Sequence, residues 1–79
     1  MQKEELQIAP NPALDNIRIL NNLPAGAEAE IFSITGQLFS RNLLQNNILS
    51  ITDLQTGMYL LKVIDVSSGT TWITKFIKQ

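Results

Sequence analysis

The chain contains no histidine and no cysteine among its 79 residues. Without them no Ser–His–Asp or Cys–His nucleophile can be assembled, the usual zinc ligand sets are missing, and no disulfide can brace the fold. Missing cysteine fits the cytosol or export equally well. Charged residues are scarce at 16%, which leaves little for the solvated face of surface helices. Net charge is -1, giving no reason to expect a nucleic acid or an acidic membrane as partner. No apolar run approaches the roughly 18–20 residues of a membrane-spanning helix. The opening "MQKEELQIAP" is polar and acidic, where a signal peptide needs a basic and then an apolar segment. If the domain is exported, its signal lies elsewhere, and Met1 reads as a start placed ahead of an excised piece.

The candidates for paired carboxylates are Asp15, Asp53, Asp65 and the pair Glu28 and Glu30. All fall near turns or on an outward strand face, so exposure is their expected state. No Asp/Asn/Gly loop of calcium-ligand spacing accompanies the glutamates. The stretches "TG" and "SSGTT" are too short for a phosphate cradle and open no helix. The expectation is a protein that is not an enzyme and has no cofactor and no metal. Trp72 and Phe32 offer one alternative, a sugar-stacking platform on a non-catalytic adhesive or carbohydrate-binding module.

What is present is a regular beat of turns: "APNPA", "NNLPAGA", "TGQ", "QNN", "LQTG" and "SSGT". Between them lie short runs rich in Ile, Leu and Val. That spacing predicts an all-β, antiparallel, immunoglobulin-like sandwich of about seven strands. The strands are expected near 6–8, 16–20, 28–34, 37–44, 48–52, 58–66 and 70–78. A rival helix through Leu38, Arg41, Leu44 and Gln45 is disfavoured by Ser40, Asn42 and the preceding Gly36. With so short a chain the core must be thin, burying only about 60–65% of the surface the unfolded chain exposes. Residues 1–7 read as lead-in or linker, and 8–79 as one domain. There is no internal repeat of the kind a spacer array would carry.

Strict alternation sorts the faces. In "GMYLLKV" Tyr59, Leu61 and Val63 share one face, while Met58, Leu60, Lys62 and Ile64 share the other. Only the second face carries a charge, so the first is assigned to the core. A tyrosine at the strand start buries its ring and sends its hydroxyl to the rim. The predicted core is Ile17, Ile19, Ile31, Leu54, Tyr59, Leu61, Val63 and Phe76. Gly36 and Gly57, each after a threonine and before a strand, are expected to hold positive φ. Charge is uneven: the first 40 residues hold two basic against five acidic residues, the rest four basic against two acidic. The basic end is "TKFIKQ", where lysines would guard an edge strand.

Four stretches in order carry a resemblance. They are Pro10, Asn11, Pro12, Ala13, Asp15, Ile17 and Ile19; then Ala27, Ala29, Ile31, Phe32, Gly36 and Leu38; then Leu54, Gly57, Tyr59, Leu61 and Val63; then Lys75, Phe76 and Lys78. Together they resemble the C-terminal sorting domain of proteins exported by the type IX (Por) secretion system, with Phe32 in place of the usual Tyr and Ser33 in place of the usual Asp. The resemblance implies an address on a larger exported cargo protein. The cargo would cross the periplasm and be read by the outer-membrane translocon. A sortase would remove the domain as the cargo reaches the cell surface. It also gives Lys75 and Lys78 a role in recognition, through an edge strand whose backbone can pair. Two copies could also pair through that open edge as a homodimer.

Overall fold

The computed structural model describes residues 3–44 and 46–79. Met1 and Gln2 of the lead-in and Gln45 of the rival helix lie outside the described residues. Among the described residues there are eight strands: β1 (Lys3–Glu5), β2 (Ile8–Ala9), β3 (Asn16–Ile19), β4 (Glu28–Ser33), β5 (Leu38–Leu43), β6 (Ile48–Ser50), β7 (Gly57–Ile64) and β8 (Thr71–Lys78). They form a five-stranded sheet in the order β1-β8-β7-β4-β5 and a three-stranded sheet in the order β2-β3-β6. Seven of them, β2 to β8, pair antiparallel as expected, and β1 adds a short parallel strand on the outer side of β8. The stretch 38–43 is a strand, not the rival helix.

The elements follow from alternation. β3 reads Asn16, Ile17, Arg18, Ile19, and every second residue is buried. β7 does the same over eight residues, with Tyr59, Leu61 and Val63 inward. Its inward face meets Ala29 and Ile31 of β4 and Phe76 of β8, and Ile17, Ile19, Leu49 and Ile51 close the core from the other side. All the predicted core residues are buried except Leu54, which is half-buried and packs against the core. Trp72 also faces inward, at 8% exposure.

The first expected strand, 6–8, is split by a change of sheet. β1 belongs to the large sheet and β2 to the small one, so no single strand can span both. Leu6 sits at the crossing, is 2% exposed and fills the core between the two sheets. The lead-in assigned to residues 1–7 therefore contains a residue of the core.

Turns follow their residue types. Gly36 has φ 102° and Gly57 has φ 156°, both positive as expected. Asn46 and Asn47 also hold left-handed conformations between β5 and β6, where asparagine is tolerated better than other side chains. In β5 the register to β4 shifts between Ile31 and Phe32, so Ser40 opposes Ile31 and Leu38 opposes Phe32. Phe39 is the extra residue of this bulge. Its ring meets Tyr59 edge-on at 5.6 Å, and Tyr59 stacks on Phe76 at the same distance.

Candidate functional site

The last strand, "TWITKFIK", alternates cleanly. Trp72, Thr74, Phe76 and Lys78 turn inward and Thr71, Ile73, Lys75 and Ile77 turn outward, as the partners on β7 show: Val63, Leu61, Tyr59 and Gly57 for the first set. Phe76 is 1% exposed and anchors the strand. Lys75 is exposed on the outer face, across from Leu60. Lys78 is 9% exposed: its stem lies in the sandwich and its Nζ donates to the Gln79 carbonyl at 3.0 Å. The two lysines stand on opposite faces, as alternation requires, and of the two only Lys75 is left exposed to guard an edge or meet a partner. The alternation that seats Phe76 in the core carries Lys78 inward two residues later.

β8 is not an edge strand, which corrects an expectation. Along its first half β1 runs beside it, Glu5 opposite Ile73, and the Leu6 N–H donates to the Ile73 carbonyl at 3.3 Å. Along its second half the loop after β2 takes over. The Ile77 N–H donates to Asn11 Oδ1 at 3.0 Å. The Ala13 N–H donates to the Ile77 carbonyl at 2.7 Å, and the Gln79 N–H donates to the Ala13 carbonyl at 2.8 Å. Ala13 and Lys78 form a parallel bridge. The physical role of "PNPA" is thereby visible. Proline has no N–H to offer, so Ala13 makes the donating backbone bond to β8, while the Asn11 side chain accepts from the Ile77 N–H. Pro10 and Pro12 themselves stay exposed. Among the described residues the edges of the large sheet are β1, which pairs only with β8, and β5, which pairs only with β4.

The remaining site residues gather at the same end of the sandwich. Gly57 opposes Lys78, and Tyr59 opposes Phe76. On the other side of β7, Tyr59 opposes Ser33, which opens the turn containing Gly36. The Tyr59 hydroxyl donates to the Gln55 carbonyl at 2.6 Å, and the Leu54 N–H donates to the Ile51 carbonyl at 3.1 Å. Tyr59 thus ties its strand to the loop four residues upstream, the arrangement of a tyrosine corner in immunoglobulin-like domains. That is why the only tyrosine stands just after the glycine. Motifs scattered over Pro10–Pro12, Gly36, Leu54–Tyr59 and Lys75–Lys78 meet where β4 ends, β7 begins and β8 ends.

Two further positions depart from expectation. Glu30 was assigned to an exposed face, yet it is 5% exposed. It lies on the outer side of the sheet, but Arg41 on the neighbouring strand covers it, with Nε at 2.8 Å and Nη2 at 2.7 Å from Oε2. Trp72 faces the core opposite Val63, whereas Phe32 faces outward between Leu60 and Leu38. The two rings stand on opposite faces and form no common stacking platform. Away from this end, Ser68 and Ser67 hydroxyls donate to Asp65 in the β7–β8 turn. These bonds hold its carboxyl below the ordinary value of 3.8. The Asn11–Ile77 pairing escaped the sequence because it joins residues 66 positions apart; the only signal was an asparagine set between two prolines.

The fold and the clamped last strand define an immunoglobulin-like β-sandwich whose characteristic residues serve one end of one strand. By its sequence the chain belongs to the secretion system C-terminal sorting domain family, whose model matches residues 7–79. No curated protein matches. A solved structure of PorZ, an essential bacterial surface component of the type IX secretion system of Porphyromonas gingivalis, is similar with a TM-score of 0.73 at 21% identity. The match covers 94% of this chain and 11% of that one. At that identity the likeness concerns the fold.

Proposed function

We propose that this domain is the export address of a larger protein and acts by recognition, not catalysis. Family membership across residues 7–79 is the observation that supports this reading. The attached cargo crosses the periplasm, the domain is read by the type IX machinery at the outer membrane, and the cargo reaches the cell surface or the medium. A sortase then separates the domain from the cargo.

The test is a reporter carrying a periplasmic signal, fused ahead of the domain and expressed in hosts with and without type IX machinery. Fractionation should find the reporter at the surface only when both domain and machinery are present. Retention of the fusion in the periplasm of the competent host would overturn the proposal. Sortase action predicts that the surface form has lost the mass of the domain. A chain ending at Ile73 is a poor probe, because it removes Phe76 from the core as well as the last strand. Lys75→Ala is the cleaner one, since exposed side chains contribute within about 0.5 kcal/mol to stability.

A further inference from the structure

The outer face of the five-stranded sheet carries an apolar stripe across four adjacent strands. Leu38 opposes Phe32, Phe32 opposes Leu60, and Leu60 opposes Lys75. One step along, Met58 opposes Ile77. Leu38, Met58 and Ile77 are 45%, 46% and 41% exposed, and among the described residues no element covers them. Large apolar residues grouped on one face mark an interaction surface, whereas scattered ones do not. Two lysines stand beside the stripe. Lys75 ends it and Lys62 borders it, and among the described residues neither ammonium is in an ion pair. Glu30, opposite Lys62, is already taken by Arg41, and Glu5 stands farther off, opposite Ile73. The edge of β8 is closed by β1, Asn11 and Ala13, so the backbone of this strand is not what a partner meets along most of its length.

We infer that this face is the docking surface of the domain, and that its occupant is a protein surface presenting apolar side chains beside carboxylates. The inference rests on the reading of the domain as an export address. Met58 and Ile77 are the anchors that enter the partner, Leu38, Phe32 and Leu60 extend the apolar contact, and Lys75 and Lys62 pair with its carboxylates. Central apolar anchors set affinity, while bordering charges set orientation and encounter rate.

The test uses the reporter fusion in the competent host. Met58→Glu with Ile77→Glu places two carboxylates where the partner's own carboxylates would sit. Surface delivery should fall about tenfold or more, the loss expected from two anchors of an interface. Leu14→Glu with Val66→Glu changes two apolar residues that are 59% and 66% exposed away from the stripe, and should leave delivery unchanged. Thermal melts of both purified double variants, within a few degrees of the parent, show that folding is not the cause. A photo-crosslinker at position 58 should capture an outer-membrane component of the machinery. Normal delivery by the Met58/Ile77 variant, with the parent also delivered, overturns this inference and leaves the export reading standing. Failure of the parent fusion overturns the export reading itself. A parent that is a dimer by light scattering, and that Met58→Glu makes monomeric, assigns the face to a second copy and also overturns the inference.

Discussion

Leu61→Ala tests the core at its centre. Leu61 is 0% exposed on β7, opposite Ile31 on β4 and Thr74 on β8. Truncation removes three carbons, worth about 2.4 kcal/mol at roughly 0.8 per buried methylene. The cavity left between two strands that cannot close on it raises the cost to about 3–5 kcal/mol. A chain of 79 residues has about 4–12 kcal/mol of stability in all. At roughly 4–8 °C per kcal/mol for a domain of this size, the melting temperature should fall by about 12–40 °C. Leu60→Ala is the internal control. It is the next residue, of the same chemistry, but half-buried on the outer face, and should cost about 1 kcal/mol. The assay is thermal unfolding followed by circular dichroism, with urea titration to check that the m-value is unchanged. Equal losses for the two alanine variants would refute the assignment of β7's inward face to the core.

Three further perturbations probe other parts of the fold. Arg41→Ala removes both the ion pair and the side chain that covers Glu30; because the arginine is 59% exposed and water can reach the freed carboxylate, about 1 kcal/mol of destabilisation is expected by urea titration. An unchanged midpoint would show that the ion pair contributes nothing. Gly36→Val forces a β-branched residue to φ 102°, and although its Cβ meets nothing within 4 Å, the backbone strain should cost about 1–3 kcal/mol in thermal melts; a melting temperature equal to the parent's would show that the turn does not need glycine. Asp65 has its carboxyl held below the ordinary 3.8 by Ser68 and Ser67. Its contribution is therefore complete above that value and fades as pH falls through the lower native one. Asp65→Asn should flatten the stability profile below about pH 4, and an acid limb as steep as the parent's would reject this role.

Much of the architecture was legible in local order. Turn residues recur at short intervals, and alternation in β3, β4 and β7 sorts Ile17, Ile31, Leu61 and their neighbours to the core without any knowledge of partners, because successive side chains in a strand point to opposite faces. The glycines at 36 and 57 announced their positive φ, and Tyr59 announced a buried ring with its hydroxyl at the rim. The motifs that identify the family were also visible as motifs, each with its residues in order.

What the chain order could not tell is which segments lie beside which. Leu6 looked like part of a lead-in; it is core because the chain changes sheets on either side of it. Lys78 shares the face of Phe76 by alternation, but only the packing around it decides that it is covered there, at 9% exposure. Glu30 looked solvated until β5 brought Arg41 across it. The last strand looked like an edge, and only the fold brings β1 and Asn11 to its outer side. Local alternation depends on the geometry of one strand and so is written in sequence. Edges, burial of charge and the outer apolar stripe depend on pairings between residues far apart, which the sequence carries only through the energy of the whole packed sandwich.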